Sequence, residues 1–145
     1  DGFLNEVDKL KTLVKDNKIE KYVHFYGFKH GEELDSLFEE ADFGVASLAR
    51  HRSGITKIKT LKNREYAARG IPFIYSETDD DFDNMPYVIK APADETPIDI
   101  QNLLKFYKNL NLTPLEIRNS IIDTLSWDVQ MKRVIAETFK TDESS

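Results

Sequence analysis

Seven basic side chains crowd into the segment from Arg50 to Gly70: Arg50, Arg52, Lys57, Lys59, Lys62, Arg64 and Arg69, with Glu65 as the one acid. The segment carries +6 inside a protein of net charge −6, so the rest of the chain stands at −12. A cation cluster on an otherwise acidic chain suits one small anion. It argues against general nucleic-acid binding, which needs a broad positive face. If a helix starts near Leu61, the backbone N–H groups of Thr60, Leu61 and Lys62 are free to meet a phosphate, and the helix dipole favours it there. Lys62 and Arg64 add charge at that end. Glu65, one turn inside, can accept hydrogen bonds from a cis-diol such as the hydroxyls of a ribose. The competing reading is a solvated basic loop, with Glu65 paired to Arg69 at i+4. Arg50, His51 and Arg52 stand evenly between the two readings, and Lys59 and Arg69 read as surface.

Other chemistry-bearing residues give blander signals. His24 lies between apolar neighbours in an expected strand and reads as structural. The cluster Asp79, Asp80, Asp81 and Asp83 lacks the glycine and closing glutamate of a calcium loop and reads as a solvated acidic turn. Tyr66, Phe25, Phe43, Phe73 and Trp127 read as core.

These groups need elements to hold them. Phe3, Val7, Leu10 and Val14 recur at helical spacing. Tyr22 to Phe28 (YVHFYGF) predicts a short strand, and Glu33 to Glu40 a helix with Leu34, Leu37 and Phe38 on one face. Phe43 to Leu48 (FGVASL) is almost continuously apolar, as in a strand covered on both faces. After the polar stretch from Ala49 to Thr60, Leu61 to Arg69 predicts a helix closed by Gly70. Ile71 to Tyr75 and Tyr87 to Lys90 predict two more strands, separated by the acidic loop from Glu77 to Asn84. Pro97 and Pro114 are placed to begin helices to about Lys108 and Leu125. Ser126 caps a last helix from Trp127 to about Phe139. The tail Thr141–Ser145 is expected to fray.

Strands alternating with helices predict an α/β fold, a Rossmann-like parallel sheet with helices on both faces. Ligands of such sheets bind beyond the C-terminal strand ends, near helix N-termini. The loop after FGVASL is such a place, and it is the basic segment. The chain of 145 residues has no cysteine, so no disulfide or thiolate–metal chemistry is available to it. It shows no apolar run near the length of a membrane span, no signal-peptide pattern, no repeat and no second composition regime. One domain is the expectation.

The stretch LKNREYAARGIPFIY (Leu61–Tyr75) resembles the donor-binding half of GT-B glycosyltransferases, particularly the large retaining family 4. VHFYGF followed by GEELDSLFEEAD is similar to that family's V-x-F-x-G strand and L-x-x-L-x-x-A-D helix. LSWDVQMKRVI is similar to its closing helix, and Asp1-Gly2 to the end of its Gly-Asp-Gly turn. The resemblance implies that residues 1–145 are a single, truncated C-terminal donor domain. The acceptor-binding N-terminal domain and the first strands of this domain, with their diphosphate clamp, would precede Asp1, and the fragment alone would be inactive. It further implies transfer of a hexosyl group from a nucleotide-diphosphate sugar to a polysaccharide or glycolipid acceptor, as in bacterial surface polysaccharide synthesis. The nucleotide sugar is then the substrate, with no cofactor, metal or nucleic acid implied. The parent enzyme is expected in the cytoplasm, with peripheral association at the inner face of the membrane.

Carried over by position, Glu65 matches the ribose-binding second glutamate of the family's E-x7-E motif. Thr60, Leu61, Lys62 and Arg64 would face the diphosphate. The first glutamate falls at Lys57, which cannot accept hydrogen bonds from sugar hydroxyls. Lys62–Glu65–Tyr66 instead fits a Lys-x-x-Glu-Tyr variant of the motif. Ser53, Gly54 and Lys57 are the candidates for donor-sugar contact, and Tyr26, Gly27 and Phe28 for the nucleobase. No catalytic residue is assigned. The alternatives are a sugar-nucleotide epimerase or phosphorylase on the same scaffold, or a non-catalytic module binding a nucleotide sugar or phosphate. A response-regulator-like signalling domain lacks its expected acidic pair and lysine.

Overall fold

A computed structural model describes residues 2–140, which fall in two compact units, Asp1–Ser36 and Leu37–Ser145. In the first unit, helix α1 (Gly2–Asp16) is followed by a turn in which the Asn17 amide and side chain both donate to the Leu13 carbonyl, at 3.1 and 2.8 Å. Lys18 takes the left-handed conformation, with φ of 55°. The expected strand over Tyr22 to Phe28 does not form, and Tyr22, Phe25, Tyr26 and Phe28 are exposed. Lysines cover two of these rings, with Lys11 Nζ 5.8 Å from Phe25 and Lys21 Nζ 4.7 Å from Tyr22. Strand propensity becomes a strand only where a neighbouring backbone takes the hydrogen bonds, and among the described residues no strand pairs with this run. Phe25 is therefore not core, and His24 is an exposed residue of an irregular segment. Helix α2 (Gly31–Glu40) contains the boundary between the units.

The second unit holds a three-stranded parallel sheet in the order β1 (Gly44–Val45), β2 (Phe73–Tyr75), β3 (Val88–Lys90). The strands are shorter than their apolar runs. Beyond β1, however, the alignment continues through Ala46 N–H to the Ile74 carbonyl at 2.9 Å and Ser76 N–H to the Ser47 carbonyl at 3.0 Å. Pro72, which has no donor, precedes β2 and offers its carbonyl to Gly44 N–H at 2.9 Å. Between β1 and β2 come a 3₁₀ turn (Arg50–Ser53) and helix α3 (Leu61–Ala68), a β-α-β crossover.

Helix α4 (Ile100–Asn109) begins later than Pro97 suggests, because Asp99 is its cap. The Asp99 carboxylate accepts from the N–H groups of Gln101 and Asn102, at 2.9 and 3.1 Å. Helix α5 (Pro114–Leu125) starts at its proline behind a reciprocal Thr113–Glu116 capping box. Helix α6 (Trp127–Lys140) follows Ser126, whose hydroxyl accepts from Val129 N–H at 3.4 Å. The expectations for the tail 141–145 and for the Trp127 side chain lie outside what is described. No helix among the described residues is long and apolar enough to cross a membrane.

Phe73 is the centre of the core. Its fully buried ring stacks on Tyr66 at 5.6 Å and meets Phe82 edge-on at 5.4 Å, with Tyr75 and Tyr87 also in range. Phe43, only half-buried, meets Phe106 edge-on at 6.4 Å. Ala67, fully buried, gives α3 close approach, and Ile117 and Ile121 close the cluster from α5. Tyr66 is also the expected packing residue, its hydroxyl donating to the Val45 carbonyl at 3.1 Å.

Gly70 ends α3 with φ of 74°, and a Cβ there would lie 2.4 Å from the Pro114 carbonyl oxygen. Gly27 has a similar φ of 69° but open space around it. Gly27→Ala should therefore cost about 1 kcal/mol through backbone strain alone, and Gly70→Ala more than about 2 kcal/mol, because α5 must also shift. Urea denaturation of both variants checks the order, and equal losses would contradict it.

Candidate functional site

Helix α3 emerges from the crossover that leaves the C-terminal end of β1, so its N-terminus faces the edge where α/β sheets bind ligands. Thr60 is the N-cap residue by backbone geometry, with φ −82° and ψ 148°, but its side chain makes no capping bond. Its buried hydroxyl has no partner among the described residues, and its carbonyl accepts from Arg64 Nη1 at 3.0 Å. The first-turn N–H groups thus end at a helix entrance that no side chain among the described residues caps. Leu61 is 84% exposed there. Lys62 is exposed and makes no ion pair among the described residues. Glu65 is exposed on the next turn and accepts from Arg69 Nε at 2.7 Å, the i+4 pair expected of a surface carboxylate.

Lys57, Lys59 and Arg64 have acidic partners that composition did not reveal. Asp79 is fully buried, and its carboxylate accepts from Asn63 Nδ2 at 3.0 Å and from Arg64 Nη1 at 3.4 Å. Arg64 also binds Asp81, Lys59 lies 3.6 Å from Asp81, and Lys57 pairs with Asp80. The acidic run is therefore no solvated turn. Residues 79–83 fold back onto α3 and neutralise much of the basic segment. Arg64, named for the diphosphate, spends its guanidinium on Thr60, Asp79 and Asp81. Lys57 lies on an isolated parallel bridge to Thr78, its ammonium toward Asp80.

Ser53 and Gly54 close the 3₁₀ turn, where Gly54 has φ of 69° and donates to the His51 carbonyl at 3.0 Å. Tyr26, Gly27 and Phe28 belong to the first unit, in the irregular segment.

A residue that the sequence reading passed over is Glu77, 1% exposed, at the end of the central strand run. Its Oε1 accepts from Arg50 N–H at 2.8 Å, fixing the start of the 3₁₀ turn, and its Oε2 has no partner among the described residues. The apolar run IPFIY stops at Tyr75, so nothing local in the sequence marks Glu77 as buried. Asp83 anchors the far end of the loop. Burial alone would raise its carboxyl, but hydrogen bonds from Tyr75, Lys90 and the Asp79 N–H hold it below its ordinary value. Glu95, exposed, is pulled down to about 2 by hydrogen bonds from Arg52 and then His51. Burial pushes the hydroxyls of Tyr66, Tyr75 and Tyr87 up, and for Tyr75 the Asp83 carboxylate adds to the effect.

No family model, curated protein or solved structure matches this chain.

Asp79→Ala should cost about 3 kcal/mol or more, because it leaves the buried Asn63 amide without its acceptor, takes one of two carboxylates from Arg64 and opens a hole in a fully buried site. Glu65→Ala should cost under about 1 kcal/mol, since it breaks only an exposed pair. Chemical denaturation of the two variants separates them, and a small loss for Asp79→Ala would contradict the clamp.

The tyrosines set an alkaline limit. Unfolded tyrosine ionises near about 10, while the three folded hydroxyls resist, so stability is full below that pH and declines as pH rises beyond it. Asp83 works in the opposite sense, with its contribution lost as pH falls from about 4 through its lowered folded value. Urea midpoints should therefore sag on both sides, and a midpoint that holds well above pH of about 10 would contradict the first.

Proposed function

We propose that this chain is the donor-binding domain of a GT-B, family-4-like retaining glycosyltransferase, with a nucleotide-diphosphate sugar as its ligand. The observation that carries the reading is the uncapped entrance of α3, reached by a crossover from β1, with exposed Lys62 beside it and exposed Glu65 one turn inside. An anion approaching there meets unspent backbone N–H groups, the positive end of the helix dipole and a free ammonium. Glu65 must exchange its bond from Arg69 for ribose hydroxyls, a small cost for an exposed pair. The family motif supports the same two residues independently, through Lys62–Glu65–Tyr66 and Gly70 in sequence.

In this reading the diphosphate is the leaving group of hexosyl transfer. The α3 N–H donors and Lys62 stabilise the charge that develops on it, an electrostatic contribution requiring no proton transfer. The neutralisation by residues 79–83 narrows the assignment. Lys62 carries the free charge, and Arg64 acts by holding the helix entrance in place through Thr60, Asp79 and Asp81. The acceptor, the sugar-transferring groups and a place at the inner face of the membrane belong to the parent enzyme in this proposal.

Titration of the chain with uridine and guanosine diphosphates, followed by amide NMR, tests the reading. Resonances of residues 60–65 should move. Glu65→Ala should weaken binding about tenfold or more while leaving the unfolding midpoint nearly unchanged. If neither nucleotide perturbs residues 60–65, or if Glu65→Ala binds as the parent chain does, the donor-site assignment fails.

A further inference from the structure

A second cationic site lies on the 3₁₀ turn. His51 Nε2 sits 2.9 Å from Glu95 Oε1, and Arg52 Nε donates to the same oxygen at 2.7 Å while its Nη2 binds Glu95 Oε2. Against a carboxylate the imidazole Nε2 must be the donor, so three N–H groups converge on one acid from two consecutive residues. The acid comes from elsewhere, the loop that follows β3. These side chains border a cavity of about 260 Å³ whose other walls include Leu48, Ala49, Pro92 and Pro97. It therefore joins the segments that follow β1 and β3, at the sheet edge where ligands collect.

The two halves of this contact differ in rigidity. The cationic half is built in. Buried Glu77 accepts Arg50 N–H, Arg52 N–H donates to the Ala49 carbonyl at 3.2 Å, and Gly54 N–H closes the turn on His51. The His51 side chain is mostly buried, at 20% exposure. None of these contacts uses Glu95. The acidic half is a 65% exposed side chain on an irregular segment between Pro92 and Pro97. Exposed ion pairs contribute little, so this carboxylate is readily exchanged for another oxyanion. A guanidinium fork presented with a second N–H donor matches a phosphate group as well as it matches a carboxylate.

We propose that His51 and Arg52 form a binding site for a phosphate group, and that Glu95 is its built-in competitor, filling the site until the phosphate displaces it. The proposal does not depend on the nucleotide-sugar reading. It concerns the 3₁₀ turn, whereas that reading concerns the entrance of α3. Asp94 also borders the cavity, its Oδ1 accepting from Thr96 N–H at 2.7 Å, and its charge limits affinity in the parent chain. Glu95→Gln keeps the shape of the competitor and removes its charge.

The test titrates the full chain with inorganic phosphate and with methyl phosphate at constant ionic strength, reading the His51 ring and Arg52 Nε–H signals by NMR. Glu95→Gln should bind about fivefold or more tighter than the parent chain, and Arg52→Ala about fivefold or more weaker. Glu6→Gln, the same charge change on α1, should leave affinity unchanged. Tighter binding of methyl phosphate identifies a phosphoryl group carried on a larger molecule as the occupant, and tighter binding of inorganic phosphate identifies the free ion. The proposal is overturned if Glu95→Gln gains nothing, if Glu6→Gln gains as much, or if Arg52→Ala binds as the parent does. Thermal melts confirm that the variants remain folded, and nucleotide-induced shifts at residues 60–65 report separately on the donor site.

Discussion

The second unit depends on one buried carboxylate. Asp79 has no access to water, so its charge must be met within the protein, and Asn63 and Arg64 meet it from the first turns of α3. That requirement fixes the helix entrance against the end of β2, and it fixes where Thr60 and Lys62 stand. The same loop reaches forward through Asp83 to Tyr75 and Lys90, so strand, loop and helix are bound into one electrostatic unit. Apolar packing around Phe73 supplies the mass of the core, and the acid clamp sets its register with the helix.

This clamp changes the meaning of the charge asymmetry. In composition, an island of +6 in an acidic chain suggests an open anion site. In space, Asp79, Asp80 and Asp81 answer Arg64, Lys57 and Lys59, and Glu95 answers Arg52. The island is largely cancelled. What persists are places where a donor is exposed or its partner is weakly held: the α3 entrance with Lys62, and the turn carrying His51 and Arg52.

Helix α3, its glycine stop, α5 and the central strand were legible because each has a local cause: periodicity, a left-handed C′ residue, a proline at N1, an apolar run at residues 71–75. The failures have a common cause as well. Tyr22 to Phe28 has the side chains of a strand but, among the described residues, no strand to pair with, and Asp79 looks like any turn acid until its distant donors are known. The start of α4 was misplaced because a proline marks only a permitted start, whereas Asp99 supplies the cap that fixes one. Glu65 and Lys62 were legible as chemistry, since their exposure on α3 follows from the helix itself. Glu77 was not, because its role rests on a turn 27 positions away in sequence.

The connection from β2 to β3 runs parallel to parallel without a helix. Phe82, fully buried against Phe73, takes the place that a crossover helix would fill. A segment so anchored is a poor lid, because swinging it open would expose an aromatic ring to water and separate buried charges in the same movement. Any gating at this edge of the sheet therefore falls to pieces held by surface contacts alone, and the irregular segment between Pro92 and Pro97, which carries Glu95, is one of them.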